Sequence, residues 1–149
     1  MKSTTKSSRD NYAHFQTITT RWKDNDLYGH VNNVEYYSFF DTVINKWLID
    51  TGRLDIHKGE VIGVCAESSC KFYSSIAFPD AIDAGLRIAH IGRSSVRYEI
   101  GLFSGDSEKL IAEGRFVHVF VSRDSRLATP IPQAMRDAMT SITMDIQGQ

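Results

Sequence analysis

The spacing of hydrophobic and polar positions changes along the chain, and each spacing predicts a different kind of element. Between residues 34 and 49, apolar side chains recur at the short interval that is typical of a helix. These side chains form two stripes with only a narrow polar line between them. The first stripe consists of Val34, Tyr37, Ile44 and Leu48, and the second consists of Tyr36, Phe40, Val43 and Trp47. A helix that is apolar around most of its circumference is normally enclosed by other structure.

Stretches in which apolar and polar residues alternate predict strands before and after this helix. One such stretch covers residues 15–22, and the later ones cover 61–78, 81–91, 94–103 and 110–121. Glycine-containing turns, not helices, separate the last three strands, and a short amphipathic helix follows around residues 134–142. This order predicts an α+β domain in which an antiparallel sheet packs on one helix.

The longest of the predicted strands contains both cysteines of the chain. Strict alternation along it would place Val64, Cys70 and Phe72 on one face and Cys65 on the other. A disulfide between Cys65 and Cys70 is therefore not expected, and two free thiols are typical of a reducing cytosol. We accordingly expect a cytoplasmic protein.

Composition and charge narrow the possible classes. The chain has 149 residues, of which 42% are hydrophobic and 23% charged, which suits one globular domain with a hydrophobic core. A formal net charge of −1 gives no general electrostatic reason to bind nucleic acid or an anionic membrane. No apolar run approaches the roughly 18 residues that span a bilayer. Residues 1–12 lack the apolar core of a secretory signal and predict a flexible tail, which leaves 13–149 as a single domain.

One short stretch directly before the long helix contains two acidic residues, several amide side chains, a glycine and a histidine. It reads Asp24-Asn25-Asp26-Leu27-Tyr28-Gly29-His30-Val31-Asn32-Asn33. The side-chain oxygens of Asn32 and Asn33 can accept hydrogen bonds from the free amides of a first helical turn. Gly29 permits a positive φ just upstream of them. An acidic loop therefore leads into a helix whose N-terminal amides are available.

An acid placed just before a helix start is suited to acyl-transfer chemistry. The carboxylate can activate a water molecule or attack as a nucleophile, while helix N-terminal amides stabilise a carbonyl oxygen that gains charge. Thioester hydrolysis is one reaction of this kind. In the alternative interpretation, Asp24 and Asp26 only cap turns and interact favourably with the helix dipole.

Calcium binding is a second alternative for the same stretch. Asp24, Asp26, Gly29 and Glu35 occupy positions 1, 3, 6 and 12 of an EF-hand loop. Position 5 is Tyr28, however, which has no carboxylate, and the segment before the loop alternates like a strand. The sequence contains no second loop of this kind to pair with it. We therefore expect no metal site.

The stretch before the helix also carries a family resemblance. The pattern Asp24-x-Asp26-x-x-Gly29-His30-Val31-Asn32-Asn33-x-x-Tyr36, with Phe40-Asp41 further along the helix, resembles the signature of hotdog-fold acyl-CoA thioesterases, of the 4-hydroxybenzoyl-CoA thioesterase superfamily. A second run, Ile91-Gly92-Arg93-Ser94-Ser95-Val96-Arg97-Tyr98-Glu99, is similar to a strand segment of that family. The likeness covers residues 15–121. It implies a curved antiparallel sheet wrapped around one long helix, pairing into a homodimer or homotetramer, and active sites at the dimer interface.

The resemblance implies roles for individual residues as well. It assigns the catalytic carboxylate to Asp26 rather than Asp24, and the backbone amide that polarises the thioester carbonyl to Asn33. Whether Asp26 attacks the carbonyl or activates water stays open at this point. The neighbouring residues with implied substrate contacts are Gly29, His30, Asn32 and Tyr36. For His30 and Tyr36, a purely structural role is the alternative.

Coenzyme A carries phosphates, and cationic groups are needed to bind them. Arg93, Ser94 and Ser95 lie in a glycine-preceded turn where a guanidinium, hydroxyls and amides can meet phosphate, the alternative being a solvated hairpin turn. The resulting prediction is an acyl-CoA thioesterase that needs no metal and no cofactor, since coenzyme A is part of the substrate. Two other functions stay open: a non-catalytic hotdog protein that binds an acyl thioester, and an acyl-carrier-protein thioesterase.

Overall fold

The computed structural model describes residues 7–51, 54–55, 58–105 and 107–144, and its elements follow the predicted order. A strand, β1 (His14–Thr19), precedes the long helix α1 (Asn33–Asp50). The later strands are β2 (Val61–Phe72), β3 (Ala81–Ile91), β4 (Ser95–Ser104) and β5 (Leu110–Ser122). A short helix, α2 (Gln133–Thr140), follows them.

The five strands form one antiparallel sheet in the order β1-β3-β4-β5-β2, which leaves β1 and β2 at its edges. The pairing register defines two ends of this sheet. At the Phe72 end, β1 ends at Thr19 and β2 ends at Phe72. The Val61 end contains the start of β2 and the turn between β3 and β4. β4 runs between the two ends for about 30 Å, at roughly 3.4 Å per residue.

Helix α1 packs against the inner face of the sheet and contributes the largest side chains of the core. Its buried residues are Tyr36, Phe39, Phe40, Val43, Ile44, Trp47 and Leu48. The helix comes so close to β5 that a Cβ on Gly114 would lie 2.5 Å from the Phe40 ring. The predicted α+β class is confirmed, and the arrangement of one long helix against an antiparallel sheet is the hotdog fold. No helix in the described parts of the chain is both long and apolar enough to cross a membrane.

The described chain does not enclose α1 on all sides as its apolar stripes predict. Val34 is 72% exposed and Tyr37 is 39% exposed, although Ile44 and Leu48 of the same stripe are buried. Ile49 near the end of the helix is exposed as well, but Val34 and Tyr37 lie in the N-terminal half. This is the half nearest to the acidic loop, so the start of α1 is open to a ligand or to another subunit.

The two cysteines lie on the same face of β2, which corrects the sequence prediction. A β-bulge between Cys65 and Glu67 shifts the register, so that Cys65 pairs with His118 and Cys70 pairs with Gly114. Those two partners point to the same side of β5, because they lie an even number of residues apart. Both thiols are free, as expected. The strand also ends at Phe72, well before the predicted residue 78.

Part of the predicted flexible tail is packed against the sheet. Residues Arg9–Asn11 form a 3-10 turn, and Arg9 makes a 2.9 Å ion pair with Asp83 of β3. The Tyr12 ring lies over Gly85 and Gly101, where added Cβ atoms would approach it to 2.8 and 2.6 Å. For residues 9–12 the prediction of a loose tail is therefore wrong. Residues 1–6 lie outside the described part of the chain.

Candidate active site

The stretch between β1 and α1 folds into a small hairpin that is fixed by backbone hydrogen bonds. The Asn32 amide donates to the Asp24 carbonyl at 2.8 Å, and the Asp26 amide donates to the His30 carbonyl at 2.9 Å. Between these two bonds, Asn25 and Val31 form an isolated antiparallel bridge. The chain reverses direction at Gly29, whose φ of +82° is readily adopted only by glycine. Asp26 thus lies at the tip of a rigid hairpin.

The Asp26 side chain is half-buried, and one of its two carboxylate oxygens accepts a hydrogen bond. Its Oδ1 accepts a 2.9 Å hydrogen bond from the Tyr28 amide, which fixes the orientation of the carboxylate. No described residue donates to Oδ2. The carboxylate is therefore held in place by one oxygen, while the other can accept a proton from water or approach a carbonyl carbon.

The start of α1 lies directly behind this hairpin. Asn32 is the N-cap, and its side-chain oxygen accepts a hydrogen bond from the Val34 amide at 3.0 Å, which confirms the predicted cap. The Glu35 amide donates to the Asn32 carbonyl at 2.9 Å. The Asn33 amide, in contrast, has no acceptor among the described residues. It is a free donor at the positive end of the helix dipole.

Asp26 and Asn33 line the same cleft, whose volume is about 420 Å³. The hairpin and the helix start form one wall, to which Tyr28, His30 and Val31 also belong. The end of β2 and the residues after it form the opposite wall, with Phe72, Tyr73, Ser74 and Ser75. Tyr36 lies between the walls and contacts the Phe72 ring edge-on, with ring centroids 5.0 Å apart.

Hydrogen bonds hold the two walls at a fixed separation. The Val31 amide donates to the Ile76 carbonyl at 2.8 Å, and the Phe78 amide donates to the Asn25 side chain at 3.1 Å. On the far side, the amides of Tyr73 and Ser74 both donate to the Ile111 carbonyl of β5. The cleft is therefore a preformed feature of the described fold.

Most of the predicted site residues meet in or beside this cleft. Asp26, His30, Asn33 and Tyr36 line it, while Gly29 and Asn32 shape the hairpin and the helix start. The Tyr36 side chain is almost completely buried, and this burial raises its pKa to about 12. Its phenol therefore stays protonated at neutral pH and cannot act as a base.

Arg93, Ser94 and Ser95 do not meet the cleft in the described chain. They lie at the Val61 end of the sheet, whereas Asp26 lies at the Phe72 end. The carbonyl of Arg93 accepts from the Ile131 amide at 2.9 Å and from the Arg136 side chain at 3.1 Å. Its exposed guanidinium has no partner in the described structure. The turn is thus fixed by its backbone and presents a free cation.

Asp24 is occupied in a way that does not suit a calcium ligand. Its side chain has no exposed surface, and both carboxylate oxygens accept hydrogen bonds from Arg21. The first ligand position of the EF-hand alternative is therefore already filled by a guanidinium. No group of three or more His, Cys, Asp or Glu residues that could hold a metal ion occurs within the ranges that the structure describes.

Sequence reasoning missed the second wall of the cleft. Residues 72–75 were hidden inside the overlong prediction of β2, where Ser74 and Ser75 read as ordinary strand positions. The consecutive serines before the Phe78-Pro79 dipeptide were the available signal of an earlier strand end, because small polar residues favour turns. Both serines line the same cleft as Asp26.

Comparison with known proteins places this geometry in a family. The model of the thioesterase-like superfamily matches residues 20–139, which include the hairpin, α1, every later strand and most of α2, and which begin directly after β1. The chain belongs to this superfamily. The resemblance that was based on the Asp24–Tyr36 pattern is thereby confirmed at the level of the family. No curated protein matches the thioesterase-like chain.

Solved structures of similar fold include proteins from several bacteria. The PA5185 protein of Pseudomonas aeruginosa is 53% identical, covers 94% of this chain and 98% of its own, and superimposes with a TM-score of 0.92. Slr0204 of Synechocystis, a 1,4-dihydroxy-2-naphthoyl-CoA thioesterase, is 18% identical with a TM-score of 0.77, over 85% of this chain and 94% of its own. A thioesterase-superfamily protein of Jannaschia is 20% identical, with a TM-score of 0.81 over 91% and 87%.

Proposed function

We propose that the chain is an acyl-CoA thioesterase that hydrolyses an acyl-CoA to a free carboxylic acid and coenzyme A. One observation carries this proposal: a carboxylate with an uncommitted oxygen and a helix N-terminal amide without an acceptor line the same preformed cleft. Ester hydrolysis needs these two groups together, because one of them delivers the attacking oxygen and the other stabilises the negative charge on the carbonyl oxygen.

Two routes are compatible with this arrangement. In the first, Asp26 takes a proton from water, the water oxygen attacks the carbonyl carbon, and the carbon–sulfur bond breaks. The departing thiolate then receives the proton. In the second, the Asp26 carboxylate itself attacks the carbonyl carbon and releases the thiolate, and water then hydrolyses the resulting anhydride. In both routes the Asn33 amide donates to the carbonyl oxygen, and neither route uses a metal or a further cofactor.

The other cleft residues are proposed to hold the substrate. His30 and Asn32 lie beside the reacting groups, Gly29 keeps the hairpin tight, and Tyr36 offers an apolar surface against which an acyl group can pack. Coenzyme A as the carrier is supported by Slr0204, which is named as the thioesterase of a coenzyme A ester. A carrier-protein thioester is the second candidate, and turnover of free acyl-CoA separates the two. Free thiols at Cys65 and Cys70 support a cytoplasmic location.

A homodimer is proposed to complete the site. β2 is a long edge strand with mostly exposed residues, and unpaired edges of this kind are commonly covered by a second chain. Antiparallel pairing of two β2 strands about a two-fold axis would bring the Val61 end of the partner beside the Phe72 end of this subunit. The partner's Arg93, Ser94 and Ser95 would then lie on the side of the Asp26 cleft, where they can bind coenzyme A phosphates.

Thiol release from a panel of acyl-CoA substrates tests the proposal. We expect the wild-type protein to release coenzyme A from at least one acyl class. Asp26→Asn keeps the size and the hydrogen bond from Tyr28 but removes the charge, so turnover is expected to fall about a hundredfold or more. The matched control is Asp50→Asn at the exposed C-terminal end of α1, where the carboxylate pairs with Lys46 at 2.6 Å. Its turnover is expected to stay within about twofold of wild type.

The outcomes separate the candidate functions. Full activity of Asp26→Asn would contradict the catalytic assignment, even if the protein proved to be a thioesterase. Tight binding of an acyl-CoA without any turnover by the wild-type protein would favour the non-catalytic binding protein. Activity toward acyl-carrier-protein thioesters alone would favour the carrier-protein enzyme.

A further inference from the structure

Arg21, a residue outside the predicted site, supplies every side-chain contact of the buried Asp24 carboxylate. Its backbone amide donates to Oδ2 at 2.8 Å and its Nε donates to Oδ2 at 3.3 Å, while Nη2 donates to Oδ1 at 2.9 Å. Asp24 has no exposed side-chain surface, whereas the Arg21 side chain is 51% exposed. One half-exposed residue therefore neutralises a carboxylate that water does not reach.

The same guanidinium also reaches the first turn of α1. Nη2 of Arg21 lies 3.5 Å from Oε1 of Glu35, two residues beyond the free amide of Asn33. On its other side, Asp24 is joined to the helix N-cap, because its carbonyl accepts the Asn32 amide at 2.8 Å. Arg21 thus connects the base of the Asp26 hairpin with the start of the helix.

We propose that Arg21 is a positioning residue of the thioesterase site, which sets the placement of Asp26 relative to the Asn33 amide through Asp24 and Glu35. This inference rests on the proposed function, since it assigns these two groups to one substrate carbonyl. The Asp26 carboxylate must lie close to the carbonyl carbon of the substrate while the Asn33 amide donates a hydrogen bond to the carbonyl oxygen. A small displacement of either group therefore lowers the rate. Arg21 itself does not touch the substrate.

Removal of the guanidinium leaves the buried Asp24 carboxylate without its cationic partner, with only the Arg21 backbone amide still donating to Oδ2. A buried charge cannot stay unpaired at low cost, so the base of the hairpin is expected to shift toward solvent. That shift moves Asp26 and the helix N-cap in relation to each other, because both are bonded to the same short backbone segment. A residue with a purely stabilising role would weaken folding without changing this relation.

Arg9 provides a matched control for a stabilising arginine. It also bridges distant parts of the chain, with a 2.9 Å ion pair to Asp83 and hydrogen bonds to the carbonyls of Ser104 and Ser107. It lies on the outer face of the sheet over Phe103, and none of its described partners lines the cleft. Arg9→Met therefore reports what the loss of a cross-linking arginine does to stability alone.

The experiment compares Arg21→Met, Arg21→Lys and Arg9→Met in steady-state kinetics and thermal unfolding, at a temperature where every variant is folded. We expect Arg21→Met to lower kcat about tenfold or more while KM changes less than about threefold. Arg21→Lys restores a charge next to Asp24 and is expected to recover part of kcat. Arg9→Met is expected to lower the unfolding temperature comparably and to keep kcat within about twofold of wild type.

Amide hydrogen exchange gives a readout that does not depend on turnover. Exchange at Asp26 and Asn32, whose amides close the hairpin, is expected to accelerate in Arg21→Met and not in Arg9→Met. A wild-type protein that hydrolyses no thioester would contradict the proposed function, and exchange would then decide the positioning role by itself. Wild-type kcat and unchanged exchange in Arg21→Met, or equal losses of kcat in Arg21→Met and Arg9→Met, would overturn the inference.

Discussion

Two aspartates of one short loop have opposite surroundings, and these surroundings decide their roles. Asp24 is fully buried and both of its oxygens are bound by Arg21, whereas Asp26 is half-buried and one oxygen is held by a backbone amide. A carboxylate that is shielded from solvent and paired with a guanidinium through both oxygens is poorly placed to take a proton from water. We therefore expect Asp24 to serve the structure of the loop, which leaves Asp26 as the proposed catalytic carboxylate.

His118 is a buried histidine that the proposed reaction does not use. Its ring is 2% exposed on β5, packs edge-on against Phe116 and Phe120, and lies with Nδ1 3.2 Å from the hydroxyl of Tyr98. Burial lowers the pKa of His118 to about 4. The folded protein therefore holds this imidazole neutral at pH values where the unfolded chain, with an ordinary pKa of about 6.5, takes up a proton.

This difference predicts a loss of stability in mild acid. As the pH falls from about 6.5 toward about 4, the unfolded state binds the proton and the folded state does not, so the free energy of unfolding decreases by up to about 3 kcal/mol. Urea denaturation at pH 7 and at pH 4.5 measures this decrease in the free energy of unfolding. In His118→Phe the decrease between these pH values is expected to be smaller, by roughly 2 kcal/mol, than in wild type. His90→Gln, at an exposed position of β3, is the control, and equal decreases in all three proteins would contradict the prediction.

At the scale of elements, sequence pattern alone predicts the order and most of the boundaries. β3 begins and ends where the alternation does, and α1 begins at the predicted cap, because burial on one face imposes a period that the sequence must follow. The bulge at Cys65 could not be predicted in this way. It inserts one residue into an edge strand with little burial, where the pattern of hydrophobic residues scarcely constrains the register.

The residues of the candidate site also differ in whether the sequence could predict them. Residues that are contiguous in sequence, from Asp24 to Tyr36, could be assigned from one motif because local hairpin and cap geometry places them together. The opposite wall at Ser74 and Ser75 depends on where β2 ends and on hydrogen bonds to β5, which are contacts between residues far apart in the chain. Arg21 carried no signal either, since its importance comes from the burial of Asp24.

The close approach of α1 to β5 depends on a residue without a side chain. A Cβ on Gly114 would lie 2.5 Å from the ring of Phe40, which has no exposed surface and thus little room to move. Gly114→Ala is therefore expected to destabilise the fold by roughly 1–3 kcal/mol, as overpacking of a core does. The double variant Phe40→Leu/Gly114→Ala should recover part of the loss, measured as non-additivity in urea denaturation. Strict additivity of the two single effects would show that the helix moves away instead.

At the scale of the whole molecule, the phosphate-binding candidates and the reacting groups lie at opposite ends of one sheet. Strand β4, about 30 Å long, separates the turn at Arg93 from the Phe72 end, so a single subunit does not bring them to one thioester. In the described chain, β2 has an unpaired edge and Val34 at the start of α1 is exposed, and we expect a second copy to cover both. We therefore expect a homodimer or a dimer of dimers by light scattering, and a stable monomer at micromolar concentration would contradict this.

The contribution of Arg93 from the partner subunit can be tested with mixed dimers. One subunit carries Asp26→Asn and the other carries Arg93→Ala. If each site combines Asp26 of one subunit with Arg93 of the other, one of the two sites is fully intact and the other has lost both residues. If both residues act within a subunit, no site is intact. The phosphate contact is equal in the ground and transition states, so Arg93→Ala alone should raise KM with kcat nearly unchanged.

The two arrangements give different rates at low substrate concentration. With sites shared between subunits, kcat/KM of the mixed dimer should be about half the wild-type value, since half of its sites keep the full set of contacts. With sites inside one subunit, it should be about half the value of the Arg93→Ala homodimer, because only the subunit that retains Asp26 is active and it lacks the arginine. Wild-type mixed with Asp26→Asn is the control for a half-active dimer. A rate at the lower value would remove Arg93 of the partner from the site and leave the cleft at Asp26 to bind the substrate with residues of its own subunit.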